Sequence, residues 1–280
     1  MTLESITQLG VGFILAALIA WAATRAHSLS RSGGWGALLT GTLIFGLGGW
    51  QWAVLLLGFF ISSSVLTRLF KRRKLAFAEK FEKGGVRDIG QVLANGGIAS
   101  LFAAAHFFFP QAGWTWLGFA ASMAAVNADT WATELGVLSP VKPRLLTTWK
   151  YVERGTSGGI SLAGTLSAAT GAGFIALLAA LGTPSLGLRE FPKSLTVIAI
   201  VLLGGMLGAL FDSLLGATVQ AIYRCPQCDK ETEKHPRHTC GTETVQVRGW
   251  KWLNNDLVNL GCALMGSVVG VVLYLLIVLR

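Results

Sequence analysis

The chain is a succession of long apolar runs separated by polar segments. A window of about 19 residues gives eight candidate membrane spans, at residues 7–24, 34–49, 51–67, 90–109, 113–138, 157–181, 195–217 and 257–279. Only 13% of the residues are charged and the mean hydropathy is +0.58, whereas soluble domains carry about 25% charged residues. The sequence therefore predicts an all-α, polytopic integral membrane protein, with residues 1–280 forming a single membrane domain.

The second and third runs are short and are joined by the sequence GGWQW at residues 48–52. A re-entrant hairpin and two complete spans both fit this pattern, so we expect seven to eight transmembrane helices. The first run lacks the basic segment and the small-residue cleavage site of a signal peptide, and we expect it to be retained as a helix.

Basic residues predict the orientation of the helices. Loops 25–33, 68–90, 139–156 and 218–256 fall on one side and contain all but three of the 23 lysines and arginines. The remaining three are Arg189, Lys193 and Arg280. The positive-inside rule makes the basic side cytoplasmic and places both termini outside, in the inner membrane if the source is bacterial. No nucleic-acid-binding module accompanies the charge, so we expect no nucleic-acid partner.

Polar residues interrupt the apolar runs where five helices reach the cytoplasmic side. The stretches are RDIGQVLANGG (87–97), NADTWATELG (127–136), ERGTSGGISLAGT (153–165), GALFDSLLGATVQ (208–220) and WLNNDLVNLG (252–261). An acidic side chain at the centre of a bilayer costs about 3 kcal/mol even on a lenient scale, so these residues need partners. Their common depth predicts one polar site at the cytoplasmic interface.

The carboxylates of the fifth span cannot all face one site on a straight helix. At 100° per residue, Asn127, Thr130 and Glu134 share one face, and Asp129 lies on nearly the opposite one. Either the helix unwinds here or protein encloses it on both sides. Asp212 follows a GxxxG stripe that predicts close helix packing, where the carboxylate either accepts hydrogen bonds from neighbours or belongs to the site.

The last span begins with four polar residues, Asn254, Asn255, Asp256 and Asn259. These exceed the needs of one helix cap, so they predict contacts to a ligand or metal. The stretch RGTSGGIS (154–161) combines an arginine, hydroxyls and glycines at an expected helix start, which favours phosphate binding over small-residue packing. Carboxylates opposite such an anion site imply Mg²⁺ between them.

The insert 218–256 contains CPQCDKETEKHPRHTCG at residues 225–241. A zinc knuckle is one interpretation, and free or transiently paired thiols are the other. The residues that would bind Zn²⁺ are Cys225, Cys228, His238 and Cys240. A stable disulfide is disfavoured by the predicted cytoplasmic location, because that compartment is reducing.

The polar stretches resemble the motifs of a known family. QVLANGGIAS, NADTWATELG, RGTSGGISLAGT, DSLLGATVQ and NNDLVNLG look like the motifs of the transmembrane protein 19 family, in order, and the resemblance covers residues 5–278. Its characterised plant relative is the phytyl-phosphate kinase of tocopherol synthesis. The family is distantly similar to CTP-dependent prenol kinases and CDP-diacylglycerol synthase. The resemblance implies transfer of a phosphoryl group from CTP to a prenyl monophosphate, phytyl or geranylgeranyl.

The polar pattern and the resemblance together suggest roles for individual residues; the resemblance itself points to Asp129 and Asp212 for Mg²⁺, to residues 154–159 for the phosphates, and to Arg87 with Asn95 for the nucleotide or acceptor phosphate. Mg²⁺ ligands would be Asp129 and Asp212, with Asp256 as a further candidate, and Glu134 and Arg154 would join the catalytic group. Substrate and nucleotide contacts would come from Arg87, Gln91, Asn95, Asn127, Thr156, Ser157, Gly158, Gly159, Asn254, Asn255 and Asn259.

Two other functions use the same sequence features. A cytidylyltransferase acting on a lipid phosphate would share the metal site and would release pyrophosphate. A transporter would place its polar residues near the midplane, often in two corresponding repeats. We find no such repeat and no Walker A sequence, so the sequence favours an interfacial enzyme with its own phosphate-binding scaffold.

Overall fold

The computed structural model describes residues 3–74, 77, 79–182 and 193–278. Its helices are α1 (Leu3–Arg25), α2 (Arg31–Leu43), a π-helical turn (Ile44–Gly48), α3 (Trp50–Lys74), α4 (Ile89–Phe108), α5 (Gly113–Gly136), α6 (Leu162–Leu181), α7 (Lys193–Thr218) and α8 (Asn255–Val278). Short strands β1 (Arg144–Leu145) and β2 (Gly159–Ile160) pair with each other. Strands β3 (Ile222–Cys225), β4 (Lys230–Thr232) and β5 (Val245–Arg248) form an antiparallel sheet in the order β4-β3-β5.

The helical membrane architecture predicted from the sequence is confirmed. Within the described residues, six helices are long and apolar enough to cross a membrane, namely α1, α3, α4, α6, α7 and α8. Helix α5 is 24 residues long but less apolar, and α2 has 13 residues before its π-helical turn. The predicted second span thus contains the shortest of the described α-helices, in agreement with its short apolar run. The five short strands are structure that the all-α prediction did not include.

Helix α5 forms the centre of the bundle. It contacts α3, α4, α6, α7 and α8, and its residues from Thr115 to Ala128 are all buried. The close approach of α7 to α5 depends on small residues. A side chain at Gly204 or Gly208 of α7 would meet Ala121 or Ala125 of α5 at less than 3.0 Å. The GxxxG stripe therefore packs against α5, as small residues do between membrane helices. Since α5 stays continuous, the second alternative for its polar residues is correct: protein encloses both faces.

The four loops that were predicted on one side do meet at one end of the bundle. Backbone hydrogen bonds join the α1–α2 loop to the α3–α4 loop, from Arg87 N to Ser28 O and from Ser30 N to Arg87 O, each 3.0 Å. The α3–α4 loop contacts the α5–α6 loop through an ion pair between Lys80 and Glu153. It also contacts the insert, where Glu233 N donates to Lys80 O at 2.8 Å. We call this region the loop end.

Candidate functional site

The loop end contains a cavity of about 850 Å³ between the helices and the loops. Most of the residues predicted for the site line this one cavity. They are Arg87, Gln91, Asn95, Asp129, Glu134, Arg154, Thr156, Ser157, Gly158, Gly159, Asp212, Asn255 and Asn259. The fold therefore brings together polar residues from α4, α5, α7 and α8 and from the segment before α6.

The acidic pair lies between α5 and α7. The side chains of Asp129 and Asp212 both line the cavity and interact with each other. Oxygen Oδ2 of Asp212 is buried and has no hydrogen-bond partner among the described residues. Two carboxylates this close cannot both stay charged unless a cation lies between them. Oxygen donors with one unpaired buried atom suit a hard divalent cation such as Mg²⁺.

The opposite face of α5 has a different role. The Asn127 side chain is fully buried, donates to Gly171 O at 2.7 Å and accepts a hydrogen bond from Ser62 at 3.2 Å. It thereby joins α3, α5 and α6, and it does not line the cavity. Glu134 accepts a hydrogen bond from Thr67 at 2.9 Å and, unlike Asn127, does line the cavity.

Arg87 is a half-buried cation in the cavity wall. Its guanidinium donates to Ser64 at 3.0 Å and lies 5.7 Å and 5.6 Å from the ring centres of Phe59 and Phe60. Burial lowers the pKa of Arg87, and the nearby Glu134 carboxylate acts in the opposite direction. An arginine has five N–H donors, so this group can bind a phosphate while it keeps its protein contact.

The glycine-hydroxyl segment is not a helix start, which corrects the prediction for the sixth span. Helix α6 begins at Leu162, and Ser161 caps it by accepting from Gly164 N at 3.1 Å. Gly158 adopts φ +80°, and a Cβ there would approach Ala217 of α7 closer than 3.0 Å. Packing against α7 thus explains this glycine. Phosphate binding at this segment would depend on loop groups and Arg154, without a helix dipole.

Two of the remaining predicted residues lie outside the cavity lining. Asn254 caps α8 by accepting from Leu257 N at 3.1 Å. Asp256 forms an ion pair with Lys83, which also pairs with Asp88 at 2.9 Å. In the structure Asp256 is therefore positioned by a lysine, apart from the Asp129–Asp212 pair.

Gln220 and Glu233 form a partly buried polar contact that the predicted site did not include. Gln220 is 1% exposed and accepts a hydrogen bond from Ser157, and its amide donates to Glu233 at 3.0 Å. Burial raises the pKa of Glu233 to about 7. Glu233 lies within the cysteine-rich insert, and only the pairing of β3 with β4 turns it toward the cavity. No pattern in the sequence predicted that pairing.

A second, apolar cavity of about 90 Å³ lies between helices α1 to α4. Its walls include Ala16, Leu56 and Phe60. Three residues line both cavities, and they are Arg87, Gln91 and Asn95. The polar site at the loop end thus adjoins an apolar space within the helices.

Comparison with known proteins gives the family of this chain. The family model described as "Integral membrane protein DUF92" matches residues 14–267. The chain is 36% identical to Protein PGR of Arabidopsis thaliana, over 91% of the chain and 92% of that protein. It is 31% identical to an uncharacterized membrane protein of Methanocaldococcus jannaschii, over 98% and 97%. It is 28% identical to the chloroplastic Protein VTE6 of Arabidopsis thaliana, over 88% and 65%. No solved structure matches the chain.

Proposed function

The chain belongs to the family of integral membrane protein DUF92, and on that basis we propose that it is a CTP-dependent kinase that phosphorylates a prenyl monophosphate to the diphosphate. The acceptor would be phytyl or geranylgeranyl monophosphate. The resemblance to the phytyl-phosphate kinase family agrees with the relatives found, and it supplies the choice of reaction and donor.

One observation carries the proposal: a charged cavity and an apolar cavity share the wall formed by Arg87, Gln91 and Asn95. A prenyl phosphate has the matching form, with an anionic head and a long apolar tail. In this pose Arg87 binds the acceptor phosphate, and the part of the tail next to the phosphate enters the space between helices α1 to α4. The need to hold such a tail explains why the enzyme would be built within the membrane.

The acidic pair and the surrounding cations would serve the nucleotide. Asp129 and Asp212 are the residues that would hold Mg²⁺, which neutralises phosphate charge when bound. Arg154 and Lys234 line the same cavity and are suited to bind the donor phosphates. Ser157 presents a hydroxyl beside them and is oriented by Gln220. A phosphate acceptor is already anionic, so these residues need to orient it more than to deprotonate it.

The test is the reaction itself. The purified protein in lipid nanodiscs is given CTP, Mg²⁺ and phytyl or geranylgeranyl monophosphate, with the Asp212→Asn variant as the control. We expect CDP and the prenyl diphosphate to form in equal amounts, and neither to form with the variant. Pyrophosphate with a CDP-linked lipid would identify a cytidylyltransferase instead. Uptake of prenyl phosphate into sealed vesicles without any turnover would identify a transporter.

A further inference from the structure

Three cysteines and one histidine converge at the tip of the three-stranded sheet. Cys225 ends β3, Cys228 lies in the turn to β4, and His238 and Cys240 lie between β4 and β5. Their ligand atoms all lie within 4.8 Å of one another. The Sγ atoms of Cys225 and Cys240 are 3.5 Å apart, which is far longer than a disulfide bond of about 2.05 Å. Tetrahedral Zn²⁺ with bonds of about 2.3 Å would separate such sulfurs by roughly 3.8 Å.

The orientation of His238 fits metal binding. Its side chain is buried, and Nδ1 lies 3.3 Å from the Cys240 sulfur. The other nitrogen, Nε2, lies 3.8 Å from a carboxylate oxygen of Glu79. Histidines that bind a metal usually direct their second N–H at a carboxylate or carbonyl group, which fixes the ring. Nδ1 therefore faces the cysteines, and Nε2 is directed toward Glu79 at a distance longer than a hydrogen bond.

The sheet that contains these residues needs a stabilising element. Its strands have four, three and four residues, and Val245 and Val247 of β5 are exposed. Sheets this small are marginal by themselves, and small units of this kind commonly depend on disulfides or metals. Thr232 of β4 donates to Glu79 O at 2.7 Å, so the sheet docks on the segment that also provides Glu79.

We propose that Cys225, Cys228, Cys240 and Nδ1 of His238 bind one structural Zn²⁺ ion, which holds the β4-β3-β5 sheet against residues 79–82 and so positions Glu233 in the cavity wall. Four protein ligands complete a tetrahedral site, which is the arrangement of structural rather than catalytic zinc. The mechanical connection is short. Glu233 follows β4 directly, its N–H bonds Lys80 O, and its carboxylate contacts Gln220.

The metal is tested on the full-length protein purified without chelators. We expect one zinc per chain by mass spectrometry, and a Co²⁺-substituted form with thiolate charge-transfer absorption. Cys228→Ser and Cys240→Ser should each lose the zinc, whereas Cys262→Ser, a buried cysteine within α8, should keep it. Wild-type protein with neither bound zinc nor a Co²⁺ spectrum, or with a Cys225–Cys240 disulfide in non-reducing peptide maps, would overturn the site.

The histidine orientation and the positioning role have separate readouts. Glu79→Gln should weaken zinc binding about 10-fold in chelator competition, because it removes the carboxylate that faces His238. The matched control is Glu153→Gln, an exposed glutamate whose ion pair with Lys80 lies in the same region. Cys240→Ser should accelerate amide hydrogen exchange at Glu233, with exchange in α5 unchanged. Equal zinc affinity in both glutamate variants would refute the His238 orientation, and unchanged exchange at Glu233 would refute the positioning role.

Discussion

At the scale of single residues, the Asp129–Asp212 pair is the feature that most needs an explanation. Asp129 lies on α5 and Asp212 on α7, and both half-buried side chains line the same cavity. Helix packing alone would favour small or apolar residues at both positions, since burying charge is costly. A bound cation removes this cost. The presence of a cation can be tested through thermal stability as well as through turnover.

Replacing Asp129 with asparagine should separate metal binding from folding. Asparagine has nearly the same shape, so Asp129→Asn should fold, and without metal it should melt no lower than the wild type because a carboxylate repulsion is gone. Mg²⁺ should raise the melting temperature of the wild type and not that of the variant, and turnover should fall at least about 100-fold. Glu4→Gln, an exposed change in α1, is the control. Equal stabilisation of both proteins by Mg²⁺ would remove Asp129 from the metal site.

The guanidinium of Arg87 should be specific for the acceptor phosphate. Arg87→Ala should raise the KM for the prenyl phosphate by about 10- to 100-fold, because a charge-assisted contact contributes about 1.5–3 kcal/mol. Arg87→Lys should recover only part of this, since lysine lacks the planar fork. Steady-state kinetics with CTP saturating measure the effect, with the exposed Arg144→Ala as control. If Arg87→Ala changes only the KM for CTP, the acceptor pose is wrong.

Glu233 should make stability depend on pH. Its pKa is raised by burial from 4.5 to about 7, with Glu82 and Asp129 contributing in the same direction. The folded chain then holds a proton that the unfolded chain releases, so this group lowers stability as pH rises from about 4.5 to 7. Glu233→Gln should match the wild type near pH 4.5 and exceed it above pH 7 by roughly 1–3 kcal/mol. Thermal melts in detergent without added Mg²⁺ or chelator measure this, and parallel pH profiles for both proteins would contradict it.

These residues show what a sequence can reveal about a membrane site. Asp129 and Asp212 were predictable because a carboxylate in an apolar run is conspicuous and must have a partner. Asn127 looked equally conspicuous, yet its partners are a backbone carbonyl and a serine of neighbouring helices. The sequence pattern indicates that such a polar residue must have partners. Only the packing of the helices shows which groups those partners are.

At the scale of elements, α5 and α6 illustrate two kinds of inference. The periodicity of α5 left two alternatives, unwinding or enclosure, and the bundle resolves them because five helices surround it. For α6, the glycines and hydroxyls before Ser161 have the composition of a helix start. Their role is tertiary, since Gly158 packs against α7 and the following residues pair as β2 with β1. Contacts between distant segments cannot be inferred from local composition.

The packing of Gly158 gives a direct test at this scale. Gly158→Ala should destabilise the protein by at least about 2 kcal/mol, because alanine is disfavoured at φ +80° and its Cβ would collide with Ala217. Gly173→Ala in α6 is the matched control, since a Cβ there meets nothing within 4 Å. That change should be neutral or slightly stabilising. Similar melting temperatures for the two variants would show that the segment is not packed against α7 as described.

At the scale of the whole molecule, the site depends on four loops that meet at one end. Charge asymmetry predicted that these loops share a side, and their contacts in the structure agree. The asymmetry could not predict that the insert folds into a sheet and closes the cavity with Glu233. The position of Glu233 depends on the pairing of short strands and on the cysteine cluster. Both bring together segments that are distant in sequence, so they exist only in the folded chain.

The orientation of the molecule follows from the same charges, and lysine labelling can test it. A membrane-impermeant amine reagent should modify Lys150 and Lys251, which are exposed at the loop end, in inverted membrane vesicles and not in right-side-out vesicles. Detergent should allow reaction at both lysines in either preparation. Peptide mass spectrometry measures each site. A nucleotide such as CTP is available in the cytoplasm, so modification of Lys150 in right-side-out vesicles would contradict both the orientation and a kinase that draws its donor from that side.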